Sequence, residues 1–471
     1  MVVEGWLHRA ARTHPRSTGV EYPGGSRSYV ELHAAARAGA RALSGRGVTP
    51  GDRVAIALAP GLAFAETFHA CLLLGAVVVP VDVRLGAAER ALVCDGAVLI
   101  VDEPLEETHE QAETLALGTW HDLDAVAAVI HTSGTTSSPR PVELTYGNFL
   151  WSALGSAVAL DHDPRERWLC ALPVSHIGGL SILVRSAIYA TTAVIHERFD
   201  TALVLHALRE RDITLVSLVA TTLARLLDAG LERPRTLRCA LTGGGPVPEA
   251  LIERACAAGV PVRTTYGLTE ACSQVTTMPA GRGSPTMSVL KKDAARTRVV
   301  TVSENISSGE ASSLRLHAGP PLFCTRVHVA EDGEILVSGP TVAPSSRDRD
   351  GWLRTGDLGS LDERGFLQVT GRVADTIVSG GENVAPAEVE AVLESHPDVL
   401  EAAVLGRPDA RWGEVVTAIV LPRPGSDPES ETLRAHCAAR LARYKVPKQV
   451  DFTAVPLPRT RSGKLLRREL S

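Results

Sequence analysis

Five short stretches of this chain combine residue types that could do chemistry. The first is HTSGTTSSPRPVELT (His131–Thr145), directly after the strand-like run Val126–Ile130. Six of its first seven residues are small or hydroxylated: Thr132, Ser133, Gly134, Thr135, Thr136 and Ser137. Backbone N–H groups and hydroxyls in such a loop can surround phosphate oxygens. On composition alone a plain surface loop is an equal reading, and the Walker pattern GxxxxGK[ST] is absent. The second, TTYGLTEACSQ (Thr264–Gln274), gathers Tyr266, Gly267, Thr269 and Glu270. The ring can stack on a flat base, and the hydroxyl and carboxylate suit a hard cation such as Mg2+. The alternative is a strand running into a helix that Thr269 caps. GWLRTGDLG (Gly351–Gly359) sets Asp357 between glycines, where it can hold ribose hydroxyls or simply close a turn. GRVADTIVSGGENVAP (Gly371–Pro386) offers the planar fork of Arg372 and the close backbone approach that Gly380 and Gly381 permit. PRTRSGKLLRREL (Pro458–Leu470) places Lys464 after a Ser-Gly turn, either in a working position or as a solvated terminal lysine.

Lysine usage adds weight to the last of these. Of 48 basic residues only five are lysines: Lys291, Lys292, Lys445, Lys448 and Lys464. A compact ammonium fits between two oxyanions where a guanidinium plane does not.

The elements that must position these stretches alternate in type. Asp52–Leu58, Ala76–Val81, Val98–Glu103, Val126–Gly134, Arg167–Val174, Ile213–Val219 and Arg238–Gly245 read as strands. Helical patterns at Ala63–Gly75, Thr201–Arg211, Thr221–Ala229 and Pro248–Ala258 separate them. This predicts an α/β fold of layered, mostly parallel sheets, with ligands at loops beyond the strand C-terminal ends. Residues 280–317 are polar and serine-rich and read as a loop or small mobile insertion. Two hairpins follow, turning at Asp332-Gly333 and at Asp362–Gly365. They predict a small β-rich subdomain. A helix at Pro386–Ser395 then opens a small α+β unit. The expected division is 1–370, a hinge at 371–375 (Ala374 or Asp375), and 376–471.

Composition excludes several classes. The 471 residues are 45% hydrophobic and 22% charged, with a net charge of −6, ordinary values for a globular chain of two or three domains. Basic residues are scattered, which points away from nucleic acid. No stretch of about 18 uncharged apolar residues suggests a membrane span. The eight cysteines lie far apart without a CxxC pair, and no signal peptide is evident. A cytoplasmic protein with reduced thiols is expected, and a homo-oligomer is left open.

In order and spacing the motifs resemble those of the adenylate-forming superfamily of acyl-CoA synthetases, adenylation domains and luciferases, over nearly the whole chain. Four further blocks are similar to the o-succinylbenzoate–CoA ligase family within it: NFLWSALGSAVAL, LCALPVSHIGGLSILVRSAIYATTAVI, CALTGGGPVPEALIERA and YGLTEACSQ. The resemblance implies an ATP-dependent ligase with Mg2+, a small carboxylic acid substrate and CoA as co-substrate. An acyl-AMP intermediate would form first, and thioester formation would follow.

Carried over position by position, Thr132, Ser133, Gly134, Thr135 and Thr136 would wrap the β- and γ-phosphates, with Arg140 beside pyrophosphate. Thr269 would touch the α-phosphate and Glu270 would hold Mg2+. Asp357, assisted by Arg372, would bind the ribose. Gly243, Gly244 and Gly245 would approach the adenine and acyl group, with Tyr266, followed by Gly267, stacking on the adenine. Lys464 would bridge the attacking carboxylate and the α-phosphate. Rotation about the hinge would replace it with Gly380, Gly381 and Glu382 for the thioester step. His176 would gate the acyl pocket. Arg185, in an apolar run, would meet the second carboxylate of o-succinylbenzoate, with His176, Ser175 and Ser181 as secondary candidates; an internal salt bridge or a snorkelling side chain is the alternative. Arg407 and Trp412 would contact CoA or serve structure.

Ser137, Arg140 and Pro141 depart from the usual T-S-G-T-T-G-x-P-K-G loop, so a stiffer phosphate loop is expected. Another aryl- or acyl-CoA ligase, or an acyl-adenylate loader of a carrier protein, is the competing reading.

Overall fold

The computed structural model describes residues 1–105, 117–132, 139–279, 317–379, 382–409, 412–459 and 465–470, and the backbone alone at 288–293, 296–301, 383, 413 and 468. Two sheets dominate the first 280 residues. One has the strand order Ser273–Thr277, Val262–Leu268, Cys239–Thr242, Leu215–Leu218, Arg167–Cys170, Thr192–Ile195, Thr18–Tyr22, Gly25–Ser28. Every neighbouring pair is parallel except the two outermost. The other runs Leu99–Val101, Arg53–Ile56, Val77–Pro80, Val126–Thr132, Arg140–Thr145, with only the last pair antiparallel. The predicted layered, mostly parallel α/β architecture is therefore present.

Helices fill the space between these sheets because their sequences are apolar on most faces. In Leu62–Leu74 ten of the thirteen residues are buried, and Gly75 ends the helix in the left-handed region at φ +78°. Tyr29–Gly45 is fixed at its start by a capping box. The Ser28 N–H donates to Glu31 Oε2 at 2.8 Å, and the Glu31 N–H donates to Ser28 Oγ. Both helices join Tyr146–Leu160 and Ile177–Tyr189 in one core that reaches from sheet to sheet.

A four-stranded antiparallel sheet follows: Arg326–Val329, Glu334–Ser338, Leu353–Leu361, Leu367–Arg372. Its hairpins turn where expected, with Gly333 and Gly365 at positive φ. Beyond the turn Val373–Asp375 lies a last sheet of Glu382–Val384, Ile377–Ser379, Gly413–Pro422 and Val399–Asp409, with Gln449–Phe452 parallel to Gly413–Pro422. It packs on helices Pro386–Glu394 and Ser430–Ala438 around a hydrophobic cluster of its own.

Three expectations change. Residues 288–293 and 296–301 form an antiparallel hairpin, so the polar segment contains regular structure; apart from His317, its other residues lie outside the described set. Arg140 and Pro141 belong to a strand and not to the phosphate loop, paired with Thr132 and His131. That strand is the sheet's edge, where a proline costs no ladder hydrogen bond. Thr269 caps nothing: the three-residue turn Thr269–Ala271 starts after Leu268 without a side-chain cap. No disulfide joins the cysteines among the described residues. No helix among the described residues is long and apolar enough to cross a membrane.

Candidate active site

The strand Val262–Leu268 leads into the site, and a kink organises its end. Pairing with Ser273–Thr277 shifts register between Tyr266 and Gly267. A Cβ on Gly267 would stand 1.8 Å from the Ser273 carbonyl oxygen, so only glycine fits that approach. On the opposing side Cys272 and Ser273 carry φ values of +52° and +92°, conformations that non-glycine residues rarely hold. The strained turn presents Thr269 and Glu270. The Glu270 carbonyl is held by the Ala343 N–H at 2.7 Å, while no hydrogen bond or ion pair engages its carboxylate among the described residues. The edge strand Arg140–Thr145 packs beside this turn. Thr132, at the loop's start, donates its hydroxyl to the Arg140 carbonyl at 3.4 Å. Ser133, Gly134, Thr135 and Thr136 lie outside the described residues.

Asp357 is buried, and both its oxygens are occupied. The Tyr266 hydroxyl donates to Oδ2 at 2.7 Å, and Arg372 Nε lies 2.9 Å from Oδ1. The second pairing follows from register, since Asp357 and Arg372 are direct partners on adjacent antiparallel strands. Burial, and then the Asp357 charge, push the Tyr266 phenol far above its usual range, so it stays a donor. Gly243 begins the loop after Cys239–Thr242 and abuts Thr265, where a Cβ would lie 2.6 Å from the carbonyl oxygen; Gly244, at φ +81°, and Gly245 continue it. Tyr266, Gly267, Thr269, Glu270, Asp357, Arg372 and the three glycines thus share one region.

A second group lies at the start of helix Ile177–Tyr189. His176 is its N-cap residue without a side-chain cap, and burial lowers the imidazole pKa, with Asp82 and Arg84 as charged neighbours. Asp82 follows the parallel strand Val77–Pro80, so His176 bridges toward the five-stranded sheet. The Ser175 hydroxyl is buried without a hydrogen-bond partner among the described residues. Ser181 donates to the Gly178 carbonyl at 3.4 Å.

Arg185 sits deeper. It is 2% exposed, donates from Nη2 to Ser152 Oγ at 3.2 Å and lies over the Trp168 ring at 5.4 Å. Among the described residues no carboxylate pairs with it, and at this burial its side chain does not reach solvent. Ser152 in turn donates to the Cys272 carbonyl at 2.6 Å, so Arg185 touches the strained turn indirectly. No hydrogen bond or ion pair among the described residues joins it to Glu270 or Asp357. Burial lowers its pKa.

Lys464, Gly380 and Gly381 lie outside the described residues. Glu382 opens the strand Glu382–Val384. Arg407 pairs with Asp451 at 2.8 Å, and Lys448 stands 3.5 Å over the Trp412 ring. Sequence reasoning did not find the Tyr266–Asp357 bond or the strain at Cys272 and Ser273. The glycine opposite the strain was its one visible sign.

The residues fit a nucleotide and a divalent cation. No cluster of three metal-binding side chains exists among the described residues. One unpaired carboxylate is nonetheless what Mg2+ uses when substrate phosphates supply its other oxygens.

Comparison with known proteins agrees with this geometry. Residues 7–97 and 90–345 match the AMP-binding enzyme family, and residues 388–464 match the AMP-binding enzyme C-terminal domain. The 2-succinylbenzoate–CoA ligase of Bacillus subtilis (strain 168) is 38% identical over 99% of this chain and 97% of its own. The structure of o-succinylbenzoate CoA synthetase from Bacillus subtilis with the acyl-adenylate intermediate OSB-AMP superposes with a TM-score of 0.85, at 35% identity, over 100% of this chain and 98% of that one. The same synthetase with ATP and magnesium ion gives 0.84 at 34% identity, covering 100% of both. The chain belongs to the AMP-binding enzymes, and within that class to the 2-succinylbenzoate–CoA ligase family.

Proposed function

We propose that this protein is an ATP-dependent ligase that joins o-succinylbenzoate to CoA through an acyl-adenylate. The observation that carries the reading is the Glu270 carboxylate, unpaired among the described residues and held on a strained turn beside a tyrosine that is locked to Asp357. In the first step a substrate carboxylate oxygen attacks the α-phosphorus of ATP. The acyl–O–P bond forms as the bond to the β-phosphate bridging oxygen breaks, and pyrophosphate leaves. In the second step the CoA sulfur attacks the acyl carbon, the C–O bond to the phosphate breaks, and AMP leaves.

Each half-reaction builds negative charge that fixed donors and cations must meet. Thr269 donates to the α-phosphate, and Thr132, Ser133, Gly134, Thr135 and Thr136 enclose the outer phosphates. Glu270 holds Mg2+, which supplies charge neutralisation on the phosphate oxygens. Asp357 and Arg372 orient the ribose, and the Tyr266 ring covers the adenine beside Gly243, Gly244 and Gly245. Lys464 bridges carboxylate and α-phosphate. His176 and the unpartnered Ser175 hydroxyl stand toward the acyl group. Arg185, a buried cation without a carboxylate, is the candidate for the second carboxylate.

Because one site serves both steps, the C-terminal domain, about 376–471, turns on the hinge 371–375, exchanging Lys464 for the segment with Gly380 and Gly381. Incubation with ATP, Mg2+, CoA and o-succinylbenzoate, benzoate or a medium-chain fatty acid, read by mass spectrometry, tests the reading. Formation of o-succinylbenzoyl-CoA in preference to the other thioesters supports it. Turnover of another acid in its place ends the substrate assignment. Accumulation of acyl-AMP without thioester points to a carrier protein as acceptor.

A further inference from the structure

Arg467 follows Lys464 by three residues, and its guanidinium joins three separate elements. Nη1 donates to Asp375 Oδ2 at 2.9 Å, Nη2 reaches both Glu390 oxygens at 2.7 Å, and Nε donates to the Val404 carbonyl at 3.2 Å. Asp375 ends the turn Val373–Asp375, by which the chain leaves the four-stranded sheet. Glu390 lies on helix Pro386–Glu394 and Val404 on strand Val399–Asp409. Glu390 Oε1 also accepts the Val404 N–H at 2.8 Å, so helix, strand and guanidinium close one network. Arg467 is 21% and Glu390 14% exposed, which limits solvent screening of the pair. Serving two carboxylates and a carbonyl at once needs the rigid five-donor fork of arginine.

The chain is anchored on its other side as well. Arg459 and Leu465 form an antiparallel bridge, the Leu466 N–H donates to the Pro458 carbonyl at 2.8 Å, and Arg459 Nη2 holds Glu401 at 3.0 Å. Three residues of chain span at most about 11 Å, so the Arg467 anchor bounds where Lys464 can be delivered.

We propose that Arg467 is a positioning residue for the adenylation step. It ties the segment that follows Lys464 to Asp375 at the hinge and to Glu390 on the first helix of the C-terminal domain, so the approach of that segment is set from the hinge. The proposal rests on Lys464 serving adenylation. Thioester formation presents the other face of the domain and does not use that placement, so the two half-reactions respond differently.

The test uses full-length Arg467→Lys, Asp375→Asn and the double variant, with thermal melting as a folding control. Adenylation is read as pyrophosphate released from ATP and o-succinylbenzoate without CoA. The thioester step is read as o-succinylbenzoyl-CoA formed from supplied acyl-adenylate and CoA. We expect Arg467→Lys to lower the adenylation kcat about 30-fold, with the ATP KM within about twofold and the thioester rate within about threefold. Asp375→Asn, which leaves the Glu390 contacts in place, gives a smaller loss in the same step and none beyond Arg467→Lys in the double variant. Equal losses in both half-reactions, or no loss in either, overturn the proposal. A Lys464→Ala control reads the underlying assignment of that lysine by itself.

Discussion

The hydroxyl of Tyr266 donates to Asp357 across 91 positions of sequence, at 2.7 Å, and Arg372 takes the carboxylate's other oxygen. The glycine-kinked strand and the four-stranded sheet are thereby locked together beside the residues proposed to hold the nucleoside. In Tyr266→Phe the ring remains while Asp357 loses one of its two partners. A hydrogen bond to a charged group contributes about 1.5–3 kcal/mol, so the ATP KM should rise about 10-fold or more, with kcat changed less. Steady-state kinetics with ATP varied checks this. An unchanged KM would show that the bond does not shape the nucleotide site.

Gly267 is fixed by geometry. An added Cβ at 1.8 Å from the Ser273 carbonyl cannot be absorbed by a side-chain rotation, because the obstacle is backbone. Gly267→Ala should therefore displace the Thr269–Ala271 turn. An overpacking cost of about 1–3 kcal/mol should lower the melting temperature, and adenylation should fall at least about 10-fold. Melting and pyrophosphate release measure the two effects separately.

How much of this was legible in the sequence depends on the kind of signal. The alternation of apolar strands and helices fixed the layer class, because burial on both faces of a parallel strand leaves a continuous run such as Val77–Pro80. Hairpins announced themselves through Asp332-Gly333 and Asp362–Gly365. The Tyr266–Asp357 bond was not legible, since no local pattern marks which distant strands meet. The strain at Cys272 and Ser273 left no trace in their own residue types, because neither favours positive φ, and only Gly267 opposite marked it. Pro141 was misplaced into the loop for a related reason. The T-S-G-T-T-G-x-P-K-G pattern runs the loop through Pro141, and only the sheet order shows that its strand is an edge.

Glu394 offers a pH test. Burial raises its carboxyl to about 7, the Ala402 N–H and Arg459 working against that shift and Glu390 and Glu401 with it. A carboxyl raised above its unfolded value near 4.5 binds more protons folded than unfolded, so stability falls as pH rises from about 4.5 to about 7. The loss should be of order 3 kcal/mol, all of it present above pH 7. Glu394→Gln should remove this slope and raise the melting temperature at pH 8. Melts of both proteins between pH 5 and 8 decide it, and parallel curves would show that Glu394 does not carry the dependence.

Attack of the substrate carboxylate on the α-phosphorus of ATP is the central claim, and oxygen transfer tests it most directly. With o-succinylbenzoate labelled with 18O in the reacting carboxylate, the bridging oxygen of the acyl-adenylate comes from the acid. When the CoA sulfur takes the acyl carbon, that oxygen leaves with AMP. Mass spectrometry of the products should therefore find one 18O in AMP and none in pyrophosphate. Label in inorganic phosphate alongside ADP, or unlabelled AMP accompanying the thioester, would contradict the account.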